Sequence, residues 1–343
     1  MNCKLSVIIP VYNAEQYLEE SIESVVASSV FNELEVLLID DGSKDRSAEI
    51  CDRFSQKYNN IRTFHIENGG VSNARNVALA QAKGDYITFC DADDYYLNDV
   101  LAKALQKLDG NDTDLLFFEY LSEDENGHCS RVTFPFEGGA VLDNSCKHDF
   151  FKYMLTESNF NSLWNKVFKR ELIEENNITF NKEQRRGGDR DFVIKFLAVC
   201  QSAFYLSESG YFYRYVKTSI VNKPRTDHFD NICIAYNFKV QMAPGFGFSD
   251  EELKAVLEPA VAKQIILRTF SSSGYEYELF ETSMKRLFEN EKLMNIIRGN
   301  KKIDFNRLVY SSMRHVILKK QTEACWTLVK AISSAKKIAH KFR

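Results

Sequence analysis

Residues 89–96 read Phe89-Cys90-Asp91-Ala92-Asp93-Asp94-Tyr95-Tyr96, directly after Gly84-Asp85-Tyr86-Ile87-Thr88. The glycine and aspartate form a turn, and Tyr86 to Phe89 suit a pleated, buried strand. Three carboxylates within four positions then close that strand. Asp91, Asp93 and Asp94 repel one another unless a positive charge lies between them. A divalent cation is the simplest candidate. Hard oxygen ligands suit Mg2+ or Mn2+, and Mg2+ takes one or two protein carboxylates with phosphate oxygens completing the set. The bland alternative is an acidic helix N-terminus, since Leu97 onward has helical spacing.

Working back from this stretch, strand and helix patterns alternate. Leu5–Val11 reads as a buried strand, and Asn13–Ser28 as a helix with Asn13 as its cap and Gln16 three residues on. Glu35–Ile39 is a strand, Asp45–Tyr58 a helix, Ile61–Ile66 a strand, Val71–Ala82 a helix and Asp85–Cys90 a strand. Short connections between such units predict an α/β fold with a mainly parallel sheet flanked by helices. Ligands of such sheets collect at the carboxyl ends of strands. Working forward, Asp124–His128 reads as a hairpin tip and Gly138-Gly139 as a turn. From about residue 216 strand patterns cease, and Asp227–Met242, Asp250–Phe270, Tyr275–Leu293 and Phe305–Phe342 read as helices. The expected division is 1–220, made of halves 1–100 and 101–220, followed by an all-helical region 221–343, with the boundary placed to within about 10 residues.

The 343 residues carry a net charge of -4, which gives no basic field for nucleic acid. Hydrophobic residues are 44% and charged residues 27%, the profile of a globular protein. Eight scattered cysteines without a CxxC pair read as buried thiols in a reducing compartment, hence a cytoplasmic location. No apolar run is long enough to span a bilayer, and no signal peptide is visible.

Three further motifs close strands. Pro10-Val11-Tyr12-Asn13 offers an aromatic ring for stacking. Asp40-Asp41-Gly42-Ser43 offers carboxylates to a base or sugar, or simply makes a capped turn. Asn68-Gly69-Gly70-Val71-Ser72-Asn73-Ala74-Arg75-Asn76 joins a strand to a helix whose N-terminus favours anions. In this order, and with the DAD triplet, the four motifs resemble family 2 glycosyltransferases of the GT-A fold. The resemblance covers the first 100 residues densely. It implies that Tyr12, with Pro10 and Asn13, meets the base, usually uracil, and that Asp41 accepts from its N–H. Gly70 and Arg75 would lie near the nucleotide and its phosphates. Asp91 and Ala92 would meet the ribose, and Asp93, with Asp91, the metal, Mn2+ or Mg2+. Asp40 and Asp94 would support them.

The second half agrees with this resemblance. Trp164-Asn165-Lys166-Val167-Phe168 looks like the family's W-N-K segment, and with Asp191 it is assigned to the acceptor region. Gly187-Gly188-Asp189-Arg190-Asp191-Phe192 resembles its G-E-D-x-x-F segment, which makes Asp189 the expected catalytic base; Gly188 replaces the usual glutamate. Tyr211-Phe-Tyr-Arg214 with Thr218-Ser219-Ile220 is similar to the Y-x-Y-R…S-I element, with Arg214 near the diphosphate. The implied activity is metal-dependent, inverting hexosyl transfer from a nucleotide-sugar donor, a UDP-sugar, to a glycan acceptor, lipid-linked, in cell-surface polysaccharide synthesis. A sugar nucleotidyltransferase would open on a glycine-rich basic loop, a phosphoacceptor domain would place its acidic doublet after the first strand, and a glycoside hydrolase would have no nucleotide site. An inactive glycan-binding relative would be expected to lack Asp93 or Asp189.

Residues 301–343 hold eleven Lys or Arg against Asp304 and Glu323, with Trp326, Leu328, Val329, Ile332 and Ile338 interspersed. That pattern predicts a basic amphipathic helix lying on an anionic membrane, peripheral to its inner face; a helix packed on protein with a solvated basic face is the alternative.

Overall fold

The computed structural model describes residues 3–111, 113–139, 141–143, 147–184, 186–217, 225–272, 276–301 and 306–341. The chain divides into two compact units, 1–149 with 158–217, and 150–157 with 218–343.

The first unit is built on one ten-stranded mixed sheet. Its parallel block consists of β1 (Leu5–Val11), β2 (Leu34–Asp40), β3 (Ile61–His65) and β4 (Tyr86–Phe89) in the order β3-β2-β1-β4. Every residue of β2 is buried, as a strand covered on both faces requires. Helices α1 (Leu18–Val26), α2 (Ser47–Lys57) and α3 (Val71–Gln81) are the crossovers. In α1 the buried residues Leu18, Ser21, Ile22 and Val25 fall on one stripe. Beyond β4 the sheet continues through antiparallel β9 (Lys166–Lys169), then β6 (Leu115–Glu123) and β10 (Ser202–Tyr213), which run parallel to each other. The short strand β5 (Tyr95–Tyr96) closes that edge, and β7 (Cys129–Val132) and β8 (Val141–Asp143) pair with β6 and β10. Gly127, at φ +77°, sits in the β6–β7 hairpin tip expected at Asp124–His128.

Two local expectations change. Asn13 does not cap a helix: its φ is +49°, and its Oδ1 accepts from Lys44 N at 2.7 Å. It ties the loop after β1 to the loop after β2, and α1 begins five residues later. The helical pattern after the triplet is also delayed. Tyr95 and Tyr96 pair with Phe212 and Tyr211 as strand, and α4 (Val100–Leu108) starts only beyond them.

The remaining helices of the first unit include α6 (Arg170–Glu175) and α7 (Gly188–Val199); α5 (Lys147–Thr156) reaches into the second unit. That unit contains α8 (His228–Met242), α9 (Asp250–Ser271), α10 (Tyr277–Glu289), α11 (Glu291–Gly299), α12 (Arg307–Leu318) and α13 (Thr322–Lys341). Its core includes the α9 stripe Leu253, Leu257, Val261 and Ile265, and the stacked rings of Phe151 and Phe246, 4.3 Å apart.

The helix expected over 275–293 ends at Asn290, whose Oδ1 accepts from Leu293 N and starts α11. The single helix expected over 305–342 is two. Lys320 takes φ +54°, its N–H reaches Ile317 O at 2.9 Å, and the N–H of Gln321 reaches Val316 O at 3.1 Å. This pair of bonds is a Schellman stop made without glycine. The apolar face read as a lipid surface is partly enclosed by protein. Cys325 and Val329 are fully buried, and Trp326 lies against Phe280 and Tyr277. Tyr275, Phe305, Phe342 and the side chain of Ile338 lie outside the described residues. Among the described residues no helix is long and apolar enough to cross a membrane.

Candidate active site

The loops that follow β1, β2 and β3 are bound to one another. Asp41 N donates to Val11 O, and Asn13 N to Ser43 Oγ at 3.1 Å. Asp41 is buried, and its two oxygens accept from Gly69 N and Gly70 N, each at 2.8 Å. Gly70 is the N-cap of α3 at φ +83°, a conformation that favours glycine. Asp41 therefore fixes the glycine loop. Asp41 Oδ2 also accepts from Asn68 Nδ2 at 3.4 Å, whereas Oδ1 keeps a second acceptor position to which a base N–H can come. Beside it Tyr12 is 51% exposed, while Pro10 sits in β1. Asp40 accepts from Ser43 N at 3.0 Å and pairs with His65 Nδ1 at 2.9 Å; His65 Nε2 meets Asp52 at 2.9 Å.

The DAD triplet lies at the carboxyl end of β4. Ala92 is buried between the two aspartates. Asp94, the third carboxylate, is a structural anchor: it accepts from Arg214 N at 2.8 Å and from Tyr211 Oη at 3.1 Å. Tyr211 Oη also accepts from Asp91 N at 3.0 Å. Burial lifts the Asp94 carboxyl well above its ordinary range, and the charges of Asp91 and Asp93 add to the rise. Burial likewise raises Asp93. It pushes Asp91 up to about 6 against the attraction of Arg75, with Asp93 and Asp189 adding to it.

Arg75, placed by α3, is 4% exposed. Its Nη1 donates to Asp189 Oδ1 at 2.6 Å and its Nη2 to Asp91 Oδ1 at 3.1 Å, and the mutually adjacent Phe89 and Phe180 rings lie 5.9 and 5.4 Å from the guanidinium. Burial pulls the guanidinium pKa down, but the two carboxylates outweigh it and hold the group above its usual value. Asp189 stands in the first turn of α7, whose N-cap Gly187 takes φ +78°. Asp189 keeps 38% of its side chain exposed and Asp91 28%. Gly188 has no close neighbour: a Cβ there would meet Phe180 and Ser72 at 3.6 Å, ordinary contact distances. The backbone thus does not demand glycine where the family motif has glutamate.

Other assigned residues serve the scaffold. Asp191 is buried, bound by Arg190 Nε and Gln184 Nε2, each at 2.8 Å. Arg214 reaches Glu20 at 2.6 Å and Asp93 O at 2.9 Å, and lies over the Tyr17 and Tyr95 rings. Asn165 donates to Phe118 O and accepts from Lys166 Nζ at 2.9 Å. Lys166 is fully buried over the Phe160 ring, and burial drives its pKa well below the usual lysine range. Trp164 stacks on Tyr211 at 4.4 Å and on Tyr213 at 5.6 Å. Tyr213 went unassigned in the sequence. Its pKa is raised to about 12 by burial and then by the charges of Asp94, Asp91, Asp93 and Asp189. The Tyr-x-Tyr spacing on a strand, which puts both rings on one face, was the available signal. Thr218, Ser219 and Ile220 lie outside the described residues.

A cation fits this rim. Among the described residues, none other than Asp93 itself donates a hydrogen bond to the Asp93 side chain and none donates to Asp91 Oδ2 or Asp189 Oδ2, and burial disfavours the bare charge on both triplet carboxylates. Among the described residues no group of three or more His, Cys, Asp or Glu is arranged to enclose a metal. Such an open set suits an ion whose other ligands come from a diphosphate.

Residues 6–176 match the family described as glycosyl transferase family 2. Over 223 residues, which are 63% of this chain and 72% of the relative, the chain is 30% identical to the glycosyltransferase GlyG of Streptococcus pneumoniae. The chain belongs to glycosyl transferase family 2. Another relative, the uncharacterized glycosyltransferase EpsJ of Bacillus subtilis, is 28% identical over 220 residues, covering 64% of this chain and 63% of EpsJ. The chain thus spans just under two thirds of EpsJ. In fold, this family 2 chain is similar to residues 1–349 of Staphylococcus aureus TarS, solved in complex with UDP-GlcNAc. The TM-score is 0.68 at 20% identity, over 97% of this chain and 92% of that one. The fold is therefore the GT-A type, as the sequence resemblance implied.

Proposed function

We propose that this family 2 enzyme is an inverting transferase that moves a sugar from a UDP-sugar to a hydroxyl of a glycan acceptor, lipid-linked, in cell-surface polysaccharide synthesis. One observation carries the reading: Asp91, from the triplet, and Asp189, a carboxylate 98 positions away in sequence, meet on one buried arginine, each with an oxygen left over. The UDP complex of TarS supports the choice of nucleotide. Tyr12 stacks on the base and Asp41 accepts its N–H, while Asp91 holds the ribose. Mn2+ or Mg2+ held by Asp93 and Asp91 would neutralise charge growing on the departing diphosphate.

Asp189 then acts as general base. Its Oδ2 takes the acceptor proton while the acceptor oxygen attacks the anomeric carbon from the face opposite the diphosphate. The new carbon–oxygen bond forms as the bond to diphosphate breaks, so configuration inverts and no covalent enzyme intermediate is needed. Such proton transfer contributes about 10²–10⁴-fold, and alignment of the two substrates adds to it.

Calorimetry with UDP, with and without Mn2+, and a turnover assay on Asp189→Asn test the reading together. Expected are metal-assisted UDP binding, retained in the variant, and turnover reduced about 10²–10⁴-fold. UDP affinity indifferent to metal would remove the triplet assignment, and undiminished turnover would move the base elsewhere.

A further inference from the structure

Arg75 touches both halves of the proposed reaction, and its surroundings leave it little freedom. Phe89 and Phe180, themselves in edge contact, pack against the guanidinium, Phe180 stacks on Phe192 at 4.5 Å, and Phe192 lies one turn after Asp189 on α7. The same aromatic cluster thus fixes the arginine plane and the helix that carries Asp189. Each terminal nitrogen binds one oxygen of a different carboxylate. Nε is buried with no hydrogen-bond partner among the described residues, so the group is oriented by the two carboxylates and not by satisfying all of its own donors. At 4% exposure it offers no face to a phosphate.

We propose that Arg75 is a positioning residue. It holds Oδ1 of Asp189 so that Oδ2 faces the acceptor hydroxyl, and it links that orientation to the donor side through Asp91. This rests on the reading of Asp189 as the base, and it replaces the phosphate role that the sequence resemblance implied for Arg75. A planar fork can span both carboxylates; a lysine ammonium is a point charge at the end of a flexible stem and does not reproduce that geometry.

The test is a double-mutant cycle on the full chain with Arg75→Lys and Asp189→Asn, read by kcat, by donor and acceptor KM, by UDP affinity in the presence of Mn2+, and by thermal unfolding. Arg75→Gln serves as the second variant should lysine unfold the site. Expected for Arg75→Lys are UDP affinity within about threefold of wild type and kcat lower by about a hundredfold, the scale of a misplaced catalytic group. Adding it to Asp189→Asn should then cause almost no further loss, because the arginine acts through the group already removed. An affinity loss matching the kcat loss would return Arg75 to the nucleotide, and multiplicative losses would overturn positioning through Asp189. Full turnover in Asp189→Asn itself would instead sink the base reading, whatever Arg75 does.

Discussion

Asp94 shows how one residue type can divide its roles within four positions. Read from sequence, three neighbouring carboxylates asked for a cation. Of the three, Asp91 and Asp93 keep oxygens to which no other described residue donates, while Asp94 is tied to the backbone of Arg214 and to Tyr211. That division depends on where β10 passes, which no spacing in the triplet can reveal. His65 is a second residue whose role only the fold exposes. Its two ring nitrogens face Asp40 and Asp52, which raise its pKa in that order of weight. Burial opposes ionisation of Asp40, yet bonds from Ser43 and His65 outweigh it and lower its pKa. The stabilisation from protonated His65 is therefore complete below about pH 6.5 and is lost as pH rises through its higher folded value. That from Asp40 is present above about pH 3.9 and is lost on further acidification. Melting temperature relative to His65→Gln should thus be highest between about pH 4 and 6.5 and converge towards alkaline pH. Parallel pH curves for the two proteins would refute it.

At the scale of elements, the parallel block was legible because its signals are local. Runs such as Glu35-Val-Leu-Leu-Ile39, followed by turn residues, are read directly from the chain and fall one residue short of β2 at each end, and Leu5–Val11 agrees at both ends. Helix ends in the second unit were less legible. Asn290 and Lys320 interrupt continuous apolar periodicity, and a lysine in the left-handed region has no compositional mark. Those interruptions turn α12 and α13 into a packed pair with Tyr310, Met313, Ile317, Cys325 and Val329 inside. Ile317→Ala should accordingly destabilise the protein by about 2–5 kcal/mol, measured by urea unfolding. A change below about 0.5 kcal/mol, the scale of surface substitutions, would mean that this pair does not pack as described.

Across the whole molecule, the order of four strand-end motifs made the GT-A fold readable. The Arg75 bridge was not readable, because it joins positions 75, 91 and 189 through tertiary geometry alone. Nor does the chain path respect the sequence order of the units. Residues 150–157 leave the first unit's run of sequence and belong with the helices, where Phe151 stacks on Phe246 and Lys239 Nζ donates to the carbonyls of Met154 and Leu155. Dissection of the protein has to reckon with this. A fragment ending at Lys217 would strip the cover from Phe151 and would carry that ring into solvent with Met154 beside it. Such a fragment should bind a hydrophobic dye and self-associate in sedimentation where the full chain does not. A monodisperse, dye-silent fragment would show that the two stretches are not one cooperative body.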